Sequence, residues 1–168
     1  MNTRLFLALW PDPAVRHALR ERRDAWDWPR GASPVHADKL HVTLHFLGEV
    51  PSERVPELRR GFAVPFTPFT LSIGVPKRWP HGIAVLEPHT EPPELLALHA
   101  NLSAALLALG LQPEARDYRP HVTLARRANH AVAPPESAPL TWQVDGYALV
   151  ESTPDGGGGG YTVLQEYR

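Results

Sequence analysis

The tetrapeptide His-Val-Thr-Leu occurs twice in this chain, at 41–44 and again at 121–124. Both copies sit in β-favouring surroundings, Leu40 to Leu47 (LHVTLHFL) and His121 to Ala125 (HVTLA), and both are expected to form strands. Alternation along a strand puts His41 and Thr43 on one face, with Val42 and Leu44 on the other. The second copy repeats this with His121 and Thr123 above Val122 and Leu124. Each copy therefore offers an imidazole and a hydroxyl side by side over an apolar floor. If the two strands face each other across a cleft, that cleft holds two imidazoles and two hydroxyls, the equipment for acid–base work on a phosphate.

The rest of the chain can be arranged around these strands. Arg4 to Trp10 (RLFLALW) reads as a strand ended by Pro11. Asp12 is placed to cap a helix from Pro13 to about Trp26, with Pro13 at its first position. The basic run Arg16, Arg20, Arg22 and Arg23 on that helix reads as a solvated face. Pro29 to Pro34 is expected to be a loop. Ser52 is a candidate cap for a short helix over Glu53 to Phe62. Phe66 to Val75 and Gly82 to Leu86 read as strands joined by a loop, Pro76 to His81, that carries Lys77, Arg78 and Trp79. Pro93 to Leu109 is the clearest helix, with leucines at helical spacing and Gly110 as its stop. Ala131 to Pro139 reads as a surface connection. Leu140 to Glu151 and Tyr161 to Tyr167 are expected to form a closing hairpin, with a flexible turn at Pro154, Asp155 and Gly156 to Gly160. The result is an α+β chain with two similar halves in a single domain, 1–168.

Composition removes several function classes. There is no cysteine, which excludes disulfides and thiolate catalysis and limits any zinc site to His and carboxylate ligands. A net charge of −1 argues against coating long nucleic acid, but not against engaging one RNA terminus. No apolar run approaches the ~20 residues that span a bilayer, and no signal-peptide pattern opens the chain. A cytoplasmic protein with no membrane association is expected. Of nine histidines, only the duplicated pair stands out; a lone histidine on a strand is more often structural.

HVTLHFLG at 41–48 and PHVTLAR at 120–126 resemble the paired H-x-T-x signatures of the two-histidine (2H) phosphoesterase superfamily. Within it they are most similar to the RNA 2′,3′-cyclic phosphodiesterases, formerly called 2′-5′ RNA ligases. The likeness extends to RLFLAL at Arg4 to Leu9, followed by Pro11, and spans most of the chain. It implies two pseudo-symmetric halves, with two antiparallel sheets facing a central cleft and helices outside. It also implies hydrolysis of an RNA or nucleotide 2′,3′-cyclic phosphate to a 2′-phosphomonoester without metal or cofactor. In that reaction His41 gives a proton to the leaving oxygen and His121 activates water. Composition and spacing alone leave open which histidine does which. Thr43 and Thr123 are candidate donors to the phosphate oxygens. Reverse 2′-5′ ligation is expected as a side reaction at most.

Other candidates are less direct. The family motif often carries an arginine at the position of Arg126, where it would hold a phosphate. Strict alternation turns Arg126 away from His121 and favours Arg127, unless a bulge after Leu124 turns the chain back. His45 shares the His41 face by alternation and is a candidate substrate contact, whereas Phe46 then points into the core. Tyr118 and Trp79 are candidates for stacking on a base. A metal site from His41, His45 and His121 would lack a carboxylate or a further ligand at tight spacing. The expected partner is an RNA 3′ end or a small cyclic nucleotide phosphate, bound by a monomer with no obligate protein partner. The alternative is a non-catalytic RNA-terminus or nucleotide-binding module of the same fold.

Overall fold

Three α-helices are interspersed among the strands as far as Ala108, and from there the described chain continues as strands alone. The order is β1 (Asn2–Leu9), α1 (Pro13–Asp24), β2 (Ser33–Pro34), β3 (Val42–Pro51), α2 (Val55–Gly61), β4 (Phe69–Trp79), β5 (Ile83–Pro88), α3 (Pro93–Ala108), β6 (Val122–Arg126), β7 (Leu140–Val144), β8 (Tyr147–Thr153) and β9 (Gly160–Tyr167). This computed structural model describes residues 1–136, 138–154 and 159–168.

The strands form one antiparallel path, β7-β4-β5-β6-β3-β1-β8-β9, with the short β2 laid against β6. It divides into two lobes of four, β3-β1-β8-β9 and β6-β5-β4-β7. The lobes meet at β3 and β6, whose register consists of a single pair, Val42 with Val122. Each motif thus meets the other at its own valine, and a pseudo-twofold axis passes between them. The two expected sheets are the lobes of this continuous sheet. Val42, Leu44, Val122 and Leu124 are all almost fully buried in the main core, together with Leu95, Leu98, Leu102 and Leu106 of α3. Leucines at helical spacing bury one side of α3 in the same core as the undersides of β3 and β6. A second, smaller cluster of Phe6, Ala8, Ala148 and Val150, with Trp10 and Tyr161 against it, lies on the opposite side of the first lobe.

Local chemistry explains where α1 begins. The Asp12 carboxylate accepts from the Val15 amide at 2.8 Å and starts α1, as an N-cap should. Its arginines do more than face solvent. Arg16 donates to the carbonyls of Ala37 and Leu40, Arg22 to that of Ala138, and Arg23 to that of Val35. Ser52 does not cap α2. Its hydroxyl is bonded to Thr3 at 2.6 Å, and the helix starts at Val55 after a single 3₁₀ turn.

Three strand assignments change. Ser33–Pro34, the end of the expected loop from Pro29, is a short strand paired with β6. The expected loop at Pro76 to Trp79 is the end of β4, and the turn into β5 is Pro80–Gly82, with His81 at φ 68°. Leu140 to Glu151 is divided at Asp145 and Gly146: β7 pairs with β4, while β8 pairs with β1 and β9. A side chain at Gly146 would collide with the Tyr167 carbonyl, so the chain can pass there only as glycine. The closing hairpin is β8–β9, and positions 155–158 of its expected flexible turn lie outside the described residues. No helix among the described residues is long and apolar enough to cross a membrane.

Candidate active site

His41, Thr43, His121 and Thr123 all line one cleft of about 590 Å3. The Val42–Val122 pair explains why. Antiparallel strands that meet at the central valine of each motif carry the flanking residues of both on the same face. Counting outward from that pair, His41 lies toward Thr123 and Thr43 toward His121.

Both histidines are held in the same way. The His41 Nδ1–H donates to the Lys39 carbonyl at 2.6 Å, and the His121 Nδ1–H donates to the Arg119 carbonyl at 2.7 Å. In each case the acceptor lies two residues upstream. A carbonyl can only accept, so each neutral ring carries its proton on Nδ1 and leaves the Nε2 lone pair for chemistry. The His41 Nε2 accepts from the Thr43 hydroxyl at 2.9 Å.

A bulge recurs at the same place in both motifs. Opposite β1, Thr43 pairs with Ala8 and His45 with Leu7, leaving Leu44 as the extra residue. Opposite β5, Thr123 pairs with Val85 and Ala125 with Ala84, leaving Leu124 extra. One inserted residue reverses the alternation that follows. Phe46 and Arg126, equivalent in the two motifs, therefore turn into the cleft. Arg127, with φ 54°, is exposed and is not part of the cleft wall.

The same reversal takes His45 out of the site. It is only 3% exposed and lies behind β3, where its Nε2 meets the His99 carbonyl at 3.0 Å and the Ser103 hydroxyl at 3.2 Å. Tyr118 is also on that side. Its ring stacks on His99, which stacks on His45, at centroid separations of 4.0 and 4.1 Å. Its hydroxyl donates to the Thr43 carbonyl at 2.9 Å, and burial pushes its pKa above the usual phenol range. Neither residue reaches the cleft. Phe46, Tyr161 and Lys39, not chosen from the sequence, do reach it. Among the described residues, no group of three or more His, Asp or Glu is clustered as a metal would need.

The two imidazoles differ in surroundings. His41 packs among rings: Phe6 at 4.9 Å, Trp10 at 5.8 Å and Tyr161 edge-on at 5.7 Å. Burial pulls it down to about 4, and the positive charges of Arg16, His121 and Arg126 push the same way. His121 is lowered too, first by burial and then by Arg119 and Arg116, while Glu87 acts in the opposite sense. Both rings are thus held neutral near neutral pH in a site whose nearby charges are largely positive, an arrangement that awaits an anion.

Known proteins resemble this chain over most of its length. The model of the 2′-5′ RNA ligase superfamily matches residues 10–156. The RNA 2′,3′-cyclic phosphodiesterase of Thermus thermophilus is 34% identical, over 98% of this chain and 89% of its own length. Its namesake from Escherichia coli is 32% identical, over 98% of this chain and 95% of its own. The crystal structure of E. coli LigT complexed with 3′-AMP has a TM-score of 0.88 and 29% identity, covering 99% of this chain and 97% of that one. With the paired motifs in one cleft and a likeness that runs almost end to end, the chain belongs to the 2′-5′ RNA ligase superfamily.

Proposed function

We propose that the cleft hydrolyses a 2′,3′-cyclic phosphate, at an RNA 3′ end or on a small nucleotide, to a 2′-phosphomonoester. The observation that carries this reading is the pair of histidines with Nδ1–H tied to a carbonyl and Nε2 left for the cleft. Water attacks phosphorus and gives a proton to the His121 Nε2 as the new P–O bond forms. The bond from phosphorus to the 3′ oxygen breaks, and protonated His41 delivers its proton to that oxygen. One proton enters the pair as another leaves, and exchange with solvent restores the starting state. Thr43, Thr123 and Arg126 donate to the remaining phosphate oxygens as charge builds on them. No step in this sequence calls on a metal.

The low proton affinity of His41 fits this role once substrate is counted. Burial first, and then the electrostatics of Arg16, His121 and Arg126, disfavour the imidazolium in the free protein. A bound phosphate anion offsets those charges and lets His41 take up its proton on binding. The Thr43 hydroxyl, no longer needed at Nε2, is then free to turn to the phosphate. The names of the T. thermophilus and E. coli relatives support this substrate class, and the 3′-AMP complex of E. coli LigT supports a nucleotide end as its occupant.

Phosphorus NMR on a 2′,3′-cyclic nucleotide, with the protein in excess EDTA, tests the proposal in one experiment. The cyclic signal should give way to a 2′-phosphate. Binding without turnover would leave a nucleotide-binding module, and turnover that needs an added divalent ion would overturn the metal-free route.

A further inference from the structure

Trp79, Glu87 and Arg119 make a closed set of contacts around His121 that the proton transfers do not themselves use. The Trp79 ring lies against the imidazole, with centroids 4.2 Å apart and planes at 51°. The Arg119 guanidinium sits 4.3 Å from the centroid of the same indole. One oxygen of Glu87 accepts from the Trp79 Nε1–H at 2.8 Å and from Arg119 Nη2 at 3.1 Å. The carbonyl of Arg119 in turn accepts from the His121 Nδ1–H. His121 is therefore held at one nitrogen by Arg119 and on its face by Trp79, and one carboxylate ties both holders together.

The fold makes this bracket possible. Trp79 ends β4, where the strand runs on past its expected limit. Glu87 follows Leu86, the partner of Val122 in the β5–β6 ladder, and so stands beside the start of the strand that carries His121. Around His41 the corresponding rings are Tyr161, with Lys39 Nζ 5.4 Å from its centroid, and Trp10, with the Arg16 guanidinium 4.9 Å from its centroid; Phe6 packs beside them.

We propose that Trp79 and Glu87 are positioning residues for His121: Trp79 sets the tilt of the imidazole, and the Glu87 carboxylate locks Trp79 to Arg119. The inference rests on His121 being the base of the proposed reaction. Charged or titratable groups reach His121 from three sides. Arg119 and Arg116 lie on its own approach segment, Glu87 on β5, and the His41 imidazole at the head of β3. Glu87 is the anion that favours the imidazolium, and its side chain is only 23% exposed, so solvent screens it less than a surface carboxylate. The bracket therefore fixes both the direction of the His121 lone pair and its affinity for a proton.

Glu87→Gln tests this with little disturbance, because an amide oxygen can still accept from Trp79 while the charge is gone. The His121 imidazole, followed by proton NMR of its ring C–H, should titrate roughly half a pH unit lower than in the unaltered protein. The limb of the pH–rate profile governed by His121 should move with it, and kcat should fall several-fold with KM nearly constant. Trp79→Phe keeps a ring on the imidazole but loses the bond to Glu87, and Trp79→Leu loses both, so kcat should decline in that order. An unmoved His121 titration in Glu87→Gln, or equal turnover in the two Trp79 variants, would overturn the proposal. The titration is read without substrate. Should His121→Ala keep its turnover, the reading of His121 as base fails while the bracket is still judged by the NMR shift.

Discussion

At the scale of single residues, the proposed chemistry rests on two imidazole nitrogens. His41→Ala and His121→Ala should each lower turnover by on the order of 10²–10⁴, the usual contribution of one general acid or base. Affinity for a 2′-phosphate product should change far less, since Arg126 and the two threonines still line the cleft. Rates and product affinity measured on the same variants decide between the roles. A histidine whose loss weakens binding but spares turnover is a ligand-holding residue. A second expectation follows from His41 being pulled down to about 4 in the free protein. Near pH 7 it is neutral, so binding an inert phosphate anion should draw a proton from solution. Calorimetry in two buffers of different ionisation heat would show this as a difference in apparent enthalpy, and identical enthalpies would refute it. The two histidines were legible in the sequence because their motif is duplicated. Trp79 was visible only as a possible stacking residue in a loop, because nothing local says which ring a tryptophan will meet after the sheet closes.

At the scale of elements, the bulges decide what the sequence could and could not reveal. Period-two alternation correctly places His41, Thr43, His121 and Thr123 on one face, but it holds only up to an inserted residue. Leu44 and Leu124 are ordinary core leucines in the sequence, and their status as extra residues exists only in the pairing with β1 and β5. The alternation rule therefore sent His45 to the cleft and Phe46 to the core, when each goes the other way. For Arg126 the sequence could only pose the choice with Arg127. Arg126→Ala should weaken binding of a phosphate-bearing ligand by roughly 10- to 100-fold, as loss of a charge-assisted hydrogen bond does. Arg127→Ala should leave it within about two-fold, since that side chain stands outside the cleft. Titration with inorganic phosphate or a 2′-nucleotide ranks the two variants, and the reverse ranking would sink this assignment.

At the scale of the whole molecule, acid should loosen the fold in a defined window. His41 and His99 are both pulled down to about 4, His41 first by burial and His99 by burial and by His45 beside it. An unfolded histidine takes up its proton near 6.5. As pH falls from about 6.5 to about 4, the unfolded chain binds protons that the folded chain refuses, so stability declines through that window and levels off below it. His99→Phe keeps a ring between His45 and Tyr118 yet removes one titrating group, so its melting temperature should fall less steeply between those pH values. A slope equal to that of the unaltered protein would show that His99 takes no part. The order of the strands has a consequence for how the protein comes off the ribosome. The second lobe, β4 to β7, is one continuous stretch of chain, whereas β1 and β3 wait for β8 and β9 to complete theirs. Tyr161, whose ring meets the edge of His41, lies on the last of these strands. Part of the wall behind His41 is thus assembled only when β9 emerges, and a nascent chain would carry both histidine motifs well before that wall could close around His41.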